Sequence, residues 1–242
     1  MPTLPALQKV PWGIGAALVV YLLAWIGSTI FLVIFLRIMA LWVPEAGVYL
    51  AALGRGEIYS SLSLTVVNAL IGLGLVSLYL KHFGATWASV GWRRFNLWQA
   101  SLYLLGVYLT FAVASGLLFG IVALLFPAFN ESQPQVNNFT TSASSHPLLV
   151  FIGLVIIPPI IEETVFRGFI FPAFAKKWGT VWGAIISSMM FGLAHLQFNV
   201  SLYTFLLGLL LCFLYVRLKS IFPGMFFHML NNYLALMFMT GK

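Results

Sequence analysis

The chain has 242 residues, of which 62% are hydrophobic and 7% charged, with a formal net charge of +7. A soluble domain carries about 25% charged residues, so the composition excludes a soluble globular fold and points to an integral membrane protein. The positive balance is no nucleic-acid footprint, because the basic residues stand in small groups between apolar runs, as cytoplasmic loops require.

A bilayer-spanning helix needs about 20 predominantly apolar residues. Seven runs qualify, at about 12–36, 60–80, 98–126, 148–175, 179–196, 198–217 and 220–240. The expected fold is therefore all-α, a polytopic membrane bundle of about seven helices (six to eight). It forms one membrane domain, with N-terminal helices and loops over 1–147 and a helical core over 148–242. The first run follows Lys9 and exceeds the 7–15 residues of a signal h-region, so it reads as a retained span. Between the first two runs, Val43–Ser60 reads as an interfacial turn in which Arg55 and Glu57 can pair. Trp87, Trp92 and Trp98, with Arg93 and Arg94, read as an interfacial anchor. The segment Pro127–Pro147 is the longest polar loop and holds Glu131. The fifth and sixth runs are joined by a short link near Gln197–Asn199.

Basic residues set the expected orientation. With the N-terminus inside, eight fall in inner loops (Lys9, Lys81, Arg93, Arg94, Lys176, Lys177, Arg217, Lys219) and three outside (Arg37, Arg55, Lys242). The N-terminus is expected in the cytoplasm and the C-terminus outside, in the plasma membrane if the source is prokaryotic. Cys212, the single cysteine, cannot form an internal disulfide, and no role is assigned to it or to His82 and His146.

Two of the five acidic residues, Glu162 and Glu163, are adjacent within the apolar fourth run. An ionisable group at membrane depth costs at least about 2.5–3.5 kcal/mol and persists where it is paired or functional. Arg167, four residues after Glu163, shares its helix face in the favoured order. Glu162 has no partner in its own run. Pro158 and Pro159 remove two backbone donors and are expected to kink the helix just before the carboxylates. Phe191 and His195 stand four apart in the fifth run, and His228 and Asn232 four apart in the seventh. A carboxylate, two imidazoles and a carboxamide suit amide hydrolysis, which needs a base to activate water and donors for the oxyanion. No Gly-x-Ser-x-Gly nucleophile motif occurs. Glu162, His195 and His228 would equally make a two-histidine, one-carboxylate zinc set. Metal-free catalysis is the expectation because a carboxylate base and an oxyanion pair supply both functions of a zinc. The kink is expected to open the site to the cytoplasm or the inner leaflet.

The three motifs, Glu162-Glu163-x-x-x-Arg167, Phe191-x-x-x-His195 and His228-x-x-x-Asn232, resemble those of the CAAX-protease and bacteriocin-processing (CPBP or Abi) family of intramembrane proteases. The Ras-converting CAAX endopeptidase is among its relatives. The resemblance covers roughly residues 148–236. It implies that Glu162 and His195 activate water, that His228 and Asn232 serve the oxyanion, and that Glu163, Arg167 and Phe191 support them. It also implies a membrane-associated or lipidated protein or peptide as substrate. Two rival readings are a non-catalytic scaffold or accessory subunit on the same fold and a proton-coupled transporter. The lack of a repeated half argues against the transporter.

Overall fold

A computed structural model describes residues 10–54, 57–125, 142 and 145–240. Among these residues every regular element is helical, as expected. Helix α1 is Ile14–Met39. The stretch read as an interfacial turn instead holds a short helix, α2 (Pro44–Gly54). Its start is favoured by Pro44, whose missing N–H costs nothing at a helix N-terminus, and by Glu45 in the first turn. Arg55 and Glu131 lie outside the described residues. Helices α3 (Ile58–His82) and α4 (Leu97–Leu125) follow, separated by a tight 3-10 turn at Trp87–Val90.

The region 147–193 is one run of helix 47 residues long, and it folds back on itself. Gly179, with φ 83° and ψ 165°, breaks it into α5 (147–178) and α6 (180–193). Only glycine adopts that conformation without strain. The reversal is tight, since a Cβ on Gly183 would lie 2.6 Å from the backbone nitrogen of Ala175. Ser187 Oγ, on α6, donates to Phe166 O on α5 at 3.1 Å. Helix α7 (Phe198–Leu218) ends in a left-handed Lys219, and α8 (Phe222–Thr240) returns beside it.

Among the described residues, five stretches are long and apolar enough to cross a membrane: α1, α3, α4, the folded α5–α6 unit and α7. The chain is a multi-pass integral membrane protein. Its core lies on α5, where Val165, Phe166, Phe169, Ile170 and Phe171 are fully buried. The α1 entrance seals one flank of α5. Trp12 stacks on Phe169 at 4.5 Å and donates from Nε1 to the Phe169 carbonyl at 2.9 Å. The tryptophan-rich segment is more than a surface anchor. Val90 is buried, and Trp92 Nε1 donates to Thr164 Oγ1 at 3.2 Å. Gly168 admits the Val90 carbonyl so closely that any side chain there would collide with it.

Candidate active site

The two prolines of α5 fix its local geometry. Ile157 N–H reaches back five residues to Ile152 O, so the helix here has π register. The Leu154 carbonyl is left without a helical partner in either register: residue 158 would serve an α-helix and residue 159 a π-helix, and both are proline. Asn232 of α8 fills the gap, donating from Nδ2 to Leu154 O at 3.0 Å. The expected proline effect is therefore present, and it binds α8 to α5. One hydrogen of the Asn232 amide is committed there; the other is not.

After Glu162 the helix widens again into a π segment, Glu163–Ile170, all of it buried. Such segments recur at functional sites because the extra residue per turn re-aims side chains. Glu163 Oε1 accepts from Arg167 Nη1 at 2.9 Å and from His228 Nδ1 at 3.2 Å. The Arg167 guanidinium also lies 4.3 Å from the Phe191 ring centre. The Phe191 ring stands nearly perpendicular to those of both His195 and His228, at 5.1 Å and 5.6 Å between centres. It is thus a spacer between two imidazoles and a cation. Glu163 Oε2 and Arg167 Nε and Nη2 are buried without a protein partner.

Glu162 does acquire a partner, from a helix distant in sequence. Its Oε2 lies 3.6 Å from His228 Nε2, so the imidazole stands between the two adjacent carboxylates. The two glutamates differ in exposure: Glu163 is closed off, whereas Glu162 keeps 15% of its side-chain surface. That surface faces a cavity of about 510 Å³ shared with His195. His195 lies on the turn just past α6 rather than inside a helix. Its Nδ1 is 2.9 Å from Phe191 O, and because a carbonyl only accepts, Nδ1 carries the hydrogen and Nε2 is an acceptor.

Of the predicted residues, Glu162, Glu163, Arg167, Phe191 and His228 form one contiguous cluster, and His195 joins it through Phe191 and the cavity. Asn232 lies one turn beyond His228. The cavity itself is lined by Glu162 and His195 but not by the other five. The zinc set of Glu162, His195 and His228 is not gathered about one point. No group of three His, Cys, Asp or Glu side chains among the described residues is placed to hold a metal. Both His228 nitrogens already face carboxylates.

Two features differ from the sequence expectation. The cavity lies toward the bundle end away from Lys81, Lys176 and Arg217, because its lining comes from Tyr21–Thr29, Ser61–Asn68 and the turn Leu193–Leu196. This cavity lies beside His195, at the α6 end farthest from Lys176, whereas the sequence reading expects an approach from the basic side. The second difference is Asn68 of α3, which lines the cavity and was not singled out; a lone asparagine with no motif spacing gives no signal.

Residues 144–234 match the family model described as "Type II CAAX prenyl endopeptidase Rce1-like". All three motifs fall within this Rce1-like region. The chain is 35% identical over 92 residues to the "Putative membrane peptidase YdiL" of Bacillus subtilis (strain 168), which covers 38% of this chain and 37% of that protein. It is 32% identical over 96 residues to the "Uncharacterized 24.3 kDa protein" of Escherichia coli, covering 38% and 44%. It is 24% identical over 185 residues to the "UPF0177 protein YbdI" of Lactococcus lactis subsp. lactis (strain IL1403), covering 75% and 95%. The chain thus spans less than half the length of the first two relatives. No solved structure matches it.

Proposed function

We propose that the protein is an intramembrane endopeptidase that hydrolyses a peptide bond of a membrane-associated or lipid-modified protein or peptide. The observation that carries this reading is the placement of His228 between Glu162 and Glu163, with Glu162 alone of the pair facing the cavity that His195 also lines. In this mechanism a water lies between Glu162 and the free Nε2 of His195. Glu162 takes its proton while the oxygen attacks the scissile carbonyl. His228, held at Nδ1 by Glu163, turns Nε2 from Glu162 to the oxyanion once substrate is bound. The second amide hydrogen of Asn232 joins it in stabilising the oxyanion. The proton on Glu162 then passes to the leaving nitrogen as the C–N bond breaks, giving a carboxylic acid and an amine. Glu163, Arg167 and Phe191 hold His228 in place and touch no substrate.

No step of this scheme requires a metal. The test uses purified protein in proteoliposomes and a quenched prenylated CAAX-type peptide. Glu162→Gln should lower cleavage by at least about 100-fold, the lower end of what a general base contributes, with folded yield unchanged. Activity should survive exhaustive chelation. Loss on chelation with recovery on adding zinc would overturn the glutamate mechanism. Full cleavage by Glu162→Gln would remove Glu162 from the chemistry, and no cleavage by the wild type would favour the scaffold or transporter reading.

A further inference from the structure

The cavity has two unlike walls. One comes from the Rce1-like domain: Pro158, Ile161 and Glu162 on α5 and the turn with His195. The other comes from α1 and α3, which lie outside the matched residues. On α3 the lining residues Ser61, Thr65 and Asn68 recur at i, i+4 and i+7, so they share one helix face.

Three of the hydroxyl hydrogens along this wall are committed to backbone carbonyls. Thr65 Oγ1 donates to Ser61 O at 3.0 Å, Thr29 Oγ1 to Trp25 O at 3.1 Å, and Tyr21 OH to Met190 O at 3.2 Å. What these groups leave facing the cavity are lone pairs. Asn68 goes further: its Oδ1 is buried and has no protein hydrogen-bond partner. A buried carbonyl oxygen left unpaired costs about 1–3 kcal/mol, so its retention needs an explanation. The packing of α3 adds a second observation. Gly72, one turn after Asn68, sits so close to Ile161 that a Cβ would lie 2.6 Å from Ile161 Cδ1. This contact brings α3 against the residue that precedes Glu162 and sets Asn68 at the flank of the catalytic carboxylate.

We infer that Asn68 is a positioning residue that binds the substrate backbone, its Oδ1 accepting a hydrogen bond from a peptide N–H beside the scissile bond. An extended peptide brings a donor to the unpaired Oδ1, and its N–H groups are available because no helix or sheet uses them. The proposal rests on the peptidase reading above. It assigns α1 and α3 the task of holding the substrate chain while the Rce1-like domain cuts it. The bond is made to a part of the substrate that does not change in the reaction, so it strengthens binding equally in ground and transition states. Its loss raises KM and leaves kcat in place.

The experiment compares wild type with Asn68→Leu, using the quenched prenylated CAAX-type peptide and analogues in which one non-scissile amide at a time is replaced by an ester. An ester removes the N–H without adding bulk. In the wild type, one ester position should raise KM about fivefold, the worth of one ordinary hydrogen bond. Asn68→Leu should raise KM for the all-amide peptide by a similar factor and abolish the penalty at that one ester position. Its unfolding temperature should equal or exceed that of wild type, since an unpaired polar atom has been replaced by an apolar one. Asn68→Ser, which keeps a shorter acceptor, should fall between the two in KM. Cleavage with the ester penalty intact in Asn68→Leu overturns this inference alone, as does a fall in kcat on every peptide with a lowered unfolding temperature, which is what a merely structural asparagine would give. Failure of the wild type to cleave any peptide overturns the peptidase reading and this inference with it.

Discussion

Helix α4 and the α5–α6 hairpin are both long and apolar, yet they are built for different surroundings. In the most apolar window of α4 only 11% of residues are buried by protein, against 44% in the hairpin. Leu102, Leu105, Leu109, Val113 and Leu117 of α4 are exposed and meet lipid, whereas Phe166, Phe169, Ile170 and Phe171 of α5 are closed off completely. Lipid tails are as apolar as leucine, so α4 gains little from specific packing. The hairpin carries two carboxylates, a guanidinium and the proline break, and each needs a partner at membrane depth. Polar chemistry and dense packing therefore occur in the same segment because the first requires the second.

The contrast can be broken most severely at the buried cation. Arg167→Ala leaves Glu163 facing His228 with no guanidinium, and removing one partner of a buried pair costs about 3–5 kcal/mol. Folded yield on size exclusion should collapse together with activity; a fully stable Arg167→Ala protein that is merely slow would show that Arg167 acts on the chemistry and not on the scaffold. A smaller effect is expected from Gly183→Ala, whose methyl would meet the Ala175 backbone. Overpacking of this kind costs about 1–3 kcal/mol, measurable as a lower unfolding temperature in detergent. The smallest effect should have the opposite sign. Around Gly116 of α4 no atom lies within 4 Å of an added Cβ, so Gly116→Ala should stabilise by about 0.5–1 kcal/mol through helix propensity. If both glycine variants shift the unfolding temperature alike, the distinction between the two regions is wrong.

The hydrophobic runs were legible because a bilayer leaves a long signal: the runs expected at 60–80, 98–126 and 198–217 correspond to Ile58–His82, Leu97–Leu125 and Phe198–Leu218. Helix α2 was not, since a short interfacial helix needs neither length nor strict apolarity. The motif spacings correctly grouped Glu163 with Arg167, an i, i+4 pair that one helix can hold. They could not give Glu162 its partner, because His228 reaches it through tertiary packing alone. Nor could they assign Asn232 to Leu154 O; the prolines announced a free carbonyl, but not which side chain would find it. That His195 lies near the outer end of its run was legible, since the fifth run closes at 196; that the helix stops at Leu193 and leaves His195 in a turn was not, because a turn that keeps the four-residue spacing reads as more helix.

The bond from Asn232 to Leu154 also has a consequence for biogenesis. The two groups are 78 residues apart in the chain, so α5 is synthesised and threaded into lipid well before the side chain that satisfies its bare carbonyl exists. His228, on the same late helix, is likewise missing while Glu162 and Glu163 are already in place. A nascent chain therefore holds two carboxylates with neither their imidazole nor their backbone clamp. Arrival of a single helix supplies both at once, so the order of translation leaves the polar cluster incomplete until α8 is in place.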